Sequence, residues 1–420
     1  MKPIRIPVQE LRPGMYVAAP DRPWLETPFL FQGFLVQDES EIAEFRRVCK
    51  HVYIDPAQSQ IAESPTPNQP DIEADTPRGE DPGQLLQTST RRKSFHEQLR
   101  QAADARELAR RQLRRMFQQT RLGKQIDMDQ TRVIVREVVG NILEYPDAAL
   151  WLTQLKNRDD YTCLHSLNVC MLTIAFCRHL GLESQTDLEQ IGQGALLHDI
   201  GKALVPNEVL NKPDQLSPEE LRLVRRHPED GYELMRRQTN LPDPSLAIIR
   251  HHHERLNGQG YPDGLVGAEL DPPVLATAVC DIYDAITSDR SYHSGIAADE
   301  ALRLMRRNAE NTLGEGLIDE FVNFIGIYPV GSTVELNNRA IAIVVGSSRS
   351  HRLLPKVLLV RNARGEAVKK RSLVDLAKMN QEADDSAWQI ARVIPPSHAP
   401  LDTRQIILSE VYDPITAIGA

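Results

Sequence analysis

Eight of the twelve histidines lie between Asp160 and His293, and several stand beside carboxylates. The runs are His165 in DDYTCLHSLNV, His198-Asp199 in ALLHDIGK, His227 in RRHPEDG, His251-His252-His253-Glu254 in HHHERLNGQGYP, and Asp281 in AVCDIYDAITSDR. ALLHDIG and ATAVCDIYDA set their polar residues in apolar helical surroundings, where a carboxylate without a partner is costly. A divalent metal is one such partner. Imidazole with carboxylate, and no thiolate, suits iron, manganese, nickel or zinc better than magnesium or calcium. His165, His198, Asp199, His227, His252, His253 and Asp281 together exceed what one tetrahedral ion can use, so the count favours two ions, with an aspartate bridging them. Two ions about 3.5–4 Å apart can share a hydroxide and clamp phosphate oxygens for in-line displacement. Each signal alone is weak, since a lone helix histidine is usually an ordinary core or surface residue. That plain reading is given to His51, His96, His179, His351 and His398.

The elements that must position these groups follow from periodicity. Residues 126–325 are dominated by helical spacing and form the body of the protein. Before it, residues 1–55 read as a small mixed unit, with strands over Ile4–Val8, Met15–Ala19 and Phe29–Val36, a helix over Glu39–Cys49 and a strand over His51–Ile54. Residues 56–90 form an acidic, proline-rich linker that cannot bury enough apolar surface to offset its ordering entropy. Residues 91–125 form an amphipathic helix with an arginine-rich outer face: Phe95, Leu99, Ala102, Ala109, Leu113 and Met116 share one side. It either packs on the next domain, dimerises or relays a signal, or lies on a membrane or nucleic acid. After Gly326, short β-branched runs at Thr333–Leu336, Ala340–Val345 and Val357–Val360, with a turn at Asn337-Asn338, indicate a hairpin-rich β module over 326–400, followed by a tail over 401–420. The fold class is mainly α: a helical domain flanked by a small N-terminal α/β or β unit and a small C-terminal β module.

The formal net charge of −9 argues against binding a nucleic-acid polymer. A cleft can still reverse its own field for a small anion. No run approaches the roughly 18 apolar residues of a membrane span, and the start MKPIRIPVQELRPGM lacks the apolar core of a signal peptide, so a cytoplasmic protein is expected. Five cysteines without CxxC spacing read as free thiols; Cys163, Cys170 and Cys177 repeat every seven residues and belong on one buried helix face.

The segments DYTCLHSLNV, LLHDIGKALVPNEVLNKPDQLSPEE, RRHPEDG, HHERLNGQGYPDGL and DIYDAITSDRSY resemble, in order and spacing, the successive signatures of the HD-GYP family within the HD phosphohydrolase superfamily. The resemblance covers about residues 150–325, and residues 1–55 resemble a small domain of unknown function often found before HD-GYP domains. It implies an all-helical HD-type metal-hydrolase domain that hydrolyses cyclic di-GMP to pGpG, and on to GMP, through a metal-bridging hydroxide. The alternatives are a cyclic di-GMP sensor or cyclase-binding module with little turnover, a hydrolase of another cyclic dinucleotide, and a structural helical protein. The resemblance further implies two divalent ions, iron or manganese, with cyclic di-GMP, a diguanylate cyclase (GGDEF) protein and a homodimer as candidate partners.

Residue by residue, the resemblance implies that His165, His198, Asp199 and Asp281 hold the first ion and Asp199, His227, His252 and His253 the second. Asp199 and Lys202 are the catalytic candidates. Lys202, Arg255, Gly258, Gly260, Tyr261, Arg290 and His293 are the substrate-contact candidates, with Gly258 and Gly260 letting backbone approach the ligand and Tyr261 either covering a guanine or packing the loop. The chain departs from the family pattern at several points. Some members hold a third metal with a glutamate where Tyr161 stands, so two ions are expected. His293 stands in place of a basic residue, Asn257 of an aspartate and Leu256 of an aromatic, and His251 is extra, with a role off the metals.

Overall fold

The computed structural model describes residues 4–21, 34–36, 39–54, 56, 59, 95–155, 161–210, 212, 216–288, 295–309, 312–346, 353–368, 371–381, 388–394 and 403–412. They fall in two compact units. In the first, β1 (Ile4–Pro7), β2 (Tyr16–Pro20), β3 (Phe34–Leu35), α1 (Glu39–Val48) and β4 (His51–Ile54) form an antiparallel sheet of order β1-β4-β2-β3 with one helix. Val8, Leu11, Val17, Ile42, Phe45 and Val52 are its buried core. His51 sits in the sheet, where its amide donates to the Asp21 carboxylate at 3.1 Å. The strand expected over Phe29–Val36 lies mostly outside the described residues, as does nearly all of the linker.

The second unit opens with α2 (Phe95–Arg121), α3 (Met128–Glu144), α4 (Pro146–Leu152), α5 (Tyr161–His179) and α6 (Gln185–Leu197). Then come α7 (Asn207–Leu210), α8 (Pro218–Arg225), α9 (His227–Gln238), α10 (Asp243–His251), α11 (Pro272–Thr287), α12 (Ala298–Arg307) and α13 (Glu315–Ile325). Local chemistry sets many of the starts. The Asp127 side chain accepts the amides of Asp129 and Gln130 at 3.1 Å, and Ser217 with Glu220 forms a reciprocal cap on α8. Prolines stand in the first turn of α4, α8, α9, α10 and α11, where a missing N–H costs nothing.

α5 is the central helix. It has no polar stripe, and Leu167, Val169, Cys170, Ile174 and Phe176 are fully buried around its circumference, against α3, α4, α6, α11 and α13. Each such side chain contributes roughly 1.5–3 kcal/mol on leaving water. Cys163, Cys170 and Cys177 are buried free thiols on it, and burial pushes Cys177 up to about 12. α2 lays Leu99, Ala102, Ala103, Ala109, Leu113 and Met116 inward, and its Arg106 and Met116 bond to residues of the helical body. Of the three readings of this helix, packing on the next domain is the one these contacts carry.

β5 (Thr333–Leu336), β6 (Ile341–Gly346), β7 (Lys356–Arg361), β8 (Leu373–Asp375), α14 (Leu376–Gln381), β9 (Ile390–Ile394) and α15 (Thr403–Tyr412) complete the chain. The sheet is antiparallel with order β8-β7-β6-β5-β9. The β module is thus present as expected, whereas the segment read as a tail contains α15. Its Ile406, Ile407 and Val411 are buried, and Glu410 meets Arg371 at 2.6 Å. A helix this short gains its stability from tertiary packing, which local sequence does not report. Among the described residues, no helix is long and apolar enough to cross a membrane.

Candidate metal centre

Five α-helices and one short 3-10 helix bring the histidines and aspartates together. His165 is on α5, one turn from its start. His198 caps the C-terminus of α6, and Asp199 follows at the head of a short 3-10 helix over Ile200–Leu204. His227 is the first residue of α9, His252 caps α10 with His253 next to it, and Asp281 is on α11. The 3-10 helix meets α9 through a glycine: a Cβ on Gly201 would stand 2.0 Å from the His227 carbonyl oxygen. That contact lets Asp199 and His227 lie side by side.

The seven groups resolve into two sets around two carboxylates. Ligand atoms of His165, His198 and Asp199 lie within 4.8 Å of one another, and so do those of His227, His252 and His253. Asp199 faces both. Its Oδ2 is 3.4 Å from His198 Nε2 and 3.9 Å from His165 Nε2, while its Oδ1 is 3.2 Å from His227 Nε2. Asp281 also spans the sets: Oδ1 is 3.0 Å from His165 Nε2, and Oδ2 is 4.0 Å from His253 Nδ1.

The proton positions follow from what each outer nitrogen meets. His198 Nδ1 is 2.7 Å from the Ala195 carbonyl, His227 Nδ1 2.8 Å from that of Val224, and His252 Nδ1 3.0 Å from that of Ile249. A carbonyl only accepts, so each Nδ1 carries the hydrogen and each Nε2 turns a lone pair inward. His227 Nε2 and His252 Nε2 then face each other at 3.2 Å, lone pair to lone pair. His198 Nε2 and Asp199 Oδ1 are buried without a hydrogen bond of good geometry. Inward lone pairs and orphaned buried acceptors are what a cation would satisfy, so the donor set fits divalent metal.

Electrostatics agree. Burial opposes ionisation of Asp199, but Lys202 and His198 hold its carboxyl well below the usual range; Asp281 is likewise held low, chiefly by His165. Burial lowers His227, lowers His252 further with help from neighbouring imidazoles, and takes His253 down to about 3. His165 differs: burial opposes its imidazolium, yet hydrogen bonds to Asp281 and Asp284 prevail and raise it to about 9. The site therefore offers ionised carboxylates and mostly neutral imidazoles, the forms that ligate metal.

Lys202 places its Nζ 2.6 Å from Asp199 Oδ2, so in this structure it neutralises the shared carboxylate. Tyr261 stacks on His253, ring centroids 4.7 Å apart at 26°, and the Arg225 guanidinium carbon lies 5.4 Å from the Tyr261 ring centroid. Arg255 donates to the His252 and Glu254 carbonyls. Gly258 has φ 71°, and a Cβ on Gly260 would stand 2.4 Å from Glu254 Cα; the close approaches in this loop are thus to the loop's own atoms. The Tyr261–Pro262 bond is cis. His251 pairs with Asp263 at 3.0 Å, off the two sets. Arg290, His293 and the Tyr161 side chain lie outside the described residues.

Asp284 and Asn168 went unread in the sequence, and Glu254 stood there only as part of the histidine run. Asp284 is 2.8 Å from His165 Nδ1, and Asn168 donates to Asp284 at 3.0 Å. Glu254, buried inside the loop, accepts the backbone amides of Asp263, Gly264 and Leu265 at 2.6, 3.0 and 3.2 Å. The available signal was spacing: Asn168 stands three after His165 and Asp284 three after Asp281, each on the same helix face.

A helical body that gathers histidines and two carboxylates from six elements around buried lone pairs is the architecture of an HD-type metal-dependent phosphohydrolase. Residues 147–316 match the HD domain family, and residues 3–131 match a domain of unknown function, DUF3391. A cyclic di-GMP phosphodiesterase of Pseudomonas aeruginosa is 35% identical over 386 residues, 90% of each chain. A cyclic di-GMP phosphodiesterase response regulator of Xanthomonas campestris is 41% identical over 124 residues, 29% of this chain and 32% of the relative. A solved HDG"Y"P protein from Bdellovibrio bacteriovorus aligns over 77% of this chain and 99% of its own with 17% identity and a TM-score of 0.47. The chain belongs to the HD-GYP family of phosphodiesterases.

Proposed function

We propose that this protein hydrolyses cyclic di-GMP to linear pGpG, and in a second round to GMP, using two divalent ions. His165, His198, Asp199 and Asp281 would hold the first ion, and Asp199, His227, His252 and His253 the second. The observation that carries this reading is the split of Asp199, one oxygen toward each set of imidazoles. Bound divalent metal supplies Lewis acidity that activates water and neutralises phosphoryl oxygens. The chain supplies the rest. Asp284 holds His165 in the tautomer that presents Nε2, backbone carbonyls do the same for His198, His227 and His252, and Glu254 fixes the loop that carries Tyr261 against His253. Lys202 sits where a substrate phosphate would compete with Asp199 for its ammonium, adding positive charge as the phosphorus is attacked. Water adds to phosphorus and the 3′-oxygen leaves, taking up a proton from that water: the first turnover opens one P–O bond of the ring, and a second cleaves the remaining diester of linear pGpG.

Imidazole with carboxylate and no thiolate suits iron, manganese, nickel or zinc, and the resemblance to HD-GYP proteins narrows this reading to iron or manganese. Five buried free cysteines and the absence of pairing among them fit a reducing compartment, the cytoplasm. Arg255, Gly258, Gly260, Tyr261, Arg290 and His293 are the remaining substrate contacts in this reading, and a diguanylate cyclase and a second copy of the chain its protein partners.

The test is turnover of cyclic di-GMP and of 3′3′-cGAMP by protein loaded anaerobically with Fe2+ or Mn2+, products separated by chromatography. Formation of pGpG, lost in Asp199→Ala, is the expected result. Tight cyclic di-GMP binding with no pGpG under either metal would reject hydrolysis in favour of sensing.

A further inference from the structure

From α2 to the metal centre runs one buried chain of polar groups. Arg106, Asn168, Asp284 and His165 are exposed by only 9%, 1%, 1% and 3%. One guanidinium nitrogen of Arg106 donates to the Leu155 carbonyl at 2.9 Å and to Asn168 Oδ1 at 3.2 Å. Asn168 Nδ2 donates to the Thr153 carbonyl at 3.2 Å and to Asp284 Oδ1 at 3.0 Å. Asp284 Oδ2 in turn takes His165 Nδ1 at 2.8 Å.

The order of donors and acceptors in this chain has a direction. A guanidinium has no acceptor, so the face of the Asn168 amide that meets Arg106 is its oxygen. The amide nitrogen is thereby aimed at Asp284, whose other oxygen is left to accept from His165. With its Nδ1 hydrogen committed, His165 has only Nε2 to offer the site. An amide turned end for end fits the same space, but it would set its oxygen against the Thr153 carbonyl and the Asp284 carboxylate and its nitrogen against Arg106. Arg106 therefore joins Thr153 and Asp284 in excluding that arrangement.

We propose that Arg106, on the helix that joins the first unit's segment to the catalytic body, is a positioning residue for the metal centre: it sets the Asn168 amide, and through Asp284 the orientation of His165. Arg106 lies within the stretch that matches the domain of unknown function, residues 3–131, so the HD domain match alone, residues 147–316, omits part of what holds its own first histidine. The inference rests on the two-ion reading above.

The test is Mn2+ affinity of the metal-stripped full-length protein, measured by titration calorimetry at a temperature where circular dichroism shows wild type and variant equally folded. Arg106→Met should weaken Mn2+ binding at least threefold and near tenfold, the lower range for residues that orient a metal ligand. Adding Arg106→Met to Asn168→Ala should bring no further loss. If Arg106→Met does not fold, Arg106→Lys replaces it, keeping the charge but not the planar fork, with the same threefold threshold. Affinity within threefold of wild type in a folded variant, or additive losses in the double variant, would overturn the role of Arg106. Wild-type protein that binds no Mn2+ would instead sink the metal centre itself, so the two failures are distinguishable.

Discussion

The two halves of the metal centre are built from the same residue types but are held in place differently. In one half, His165 is oriented by a side chain, Asp284, and faces a second carboxylate, Asp281. In the other, His227 and His252 are oriented by backbone carbonyls of their own helical turns, and His253 by packing under Tyr261. A carboxylate partner raises the basicity of the ring and adds negative charge near the ion, whereas a carbonyl fixes the tautomer alone. The difference teaches that the carboxylate half can be tuned by point changes far along a side-chain network. In the imidazole half, His227 and His252 yield only to changes that move backbone. It also gives the halves opposite proton affinities in the metal-free protein, with His165 raised to about 9 and His253 lowered to about 3.

The largest break is expected where the halves share a ligand. Asp199→Ala should remove metal from both sets and reduce cyclic di-GMP turnover by about 1000-fold or more, a loss of roughly 4 kcal/mol of transition-state stabilisation. Metal analysis showing one ion retained at full occupancy would mean that Asp199 belongs to one half only.

Asp284→Asn tests the carboxylate half alone. It should weaken Mn2+ binding and turnover by about 10–100-fold, because an amide offers one acceptor oxygen where the carboxylate offers two, to His165 Nδ1 and to Asn168. In the imidazole half His227 and His252 are held by backbone carbonyls, so the matching change is made in backbone packing. Gly201→Ala puts a Cβ 2.0 Å from the His227 carbonyl oxygen and must push the start of α9 away from Asp199. Overpacking of this kind costs about 1–3 kcal/mol, so a fall in melting temperature should accompany a loss of metal stoichiometry. A variant with wild-type metal content would show that the 3-10 helix can move without disturbing His227.

The smallest effect is in the pH dependence of the metal-stripped protein, where the halves pull in opposite senses. His165 is raised above its ordinary value of 6.5, so it adds stability that is fully present below about 6.5 and is lost as pH climbs through about 9. His253 is depressed, so the unfolded chain binds the extra proton and stability falls as pH drops from 6.5 toward 3. Melting in chelator should therefore be highest near pH 6.5 and decline on both sides. A melting temperature that keeps rising from pH 7 to 9 would contradict the assignment of His165.

Much of this was legible in the residues. The strands at Thr333–Leu336 and His51–Ile54 and the helix from Phe95 came through because alternation or helical spacing is a local property of the chain. The α15 helix did not, since its apolar residues matter only once Ile407 is buried and Glu410 finds Arg371. In the site, the seven histidines and aspartates were readable because metal chemistry demands particular side chains. Asn168, Asp284, Glu254 and Arg106 were not, because an amide, an acid or an arginine gains its meaning only from the partner that folding brings to it. Glu254 is the plainest instance: beside three histidines it reads as one more ligand candidate, yet its carboxylate is spent on three backbone amides of the loop that follows.

What this sequence determined by itself is a set of groups able to ligate metal and a helical frame of the right length to carry them, since both reside in residue type and short-range period. What only the tertiary structure decided is direction: which oxygen of Asp199 faces which imidazoles, which nitrogen of each histidine holds its hydrogen, and that Lys202 rests on a carboxylate. Hydrogen bonds are directional and act over about 3 Å. Some of these contacts are local, as the carbonyl three residues before each of His198, His227 and His252 is, but others join residues more than a hundred positions apart, as His165 and Asp284 are.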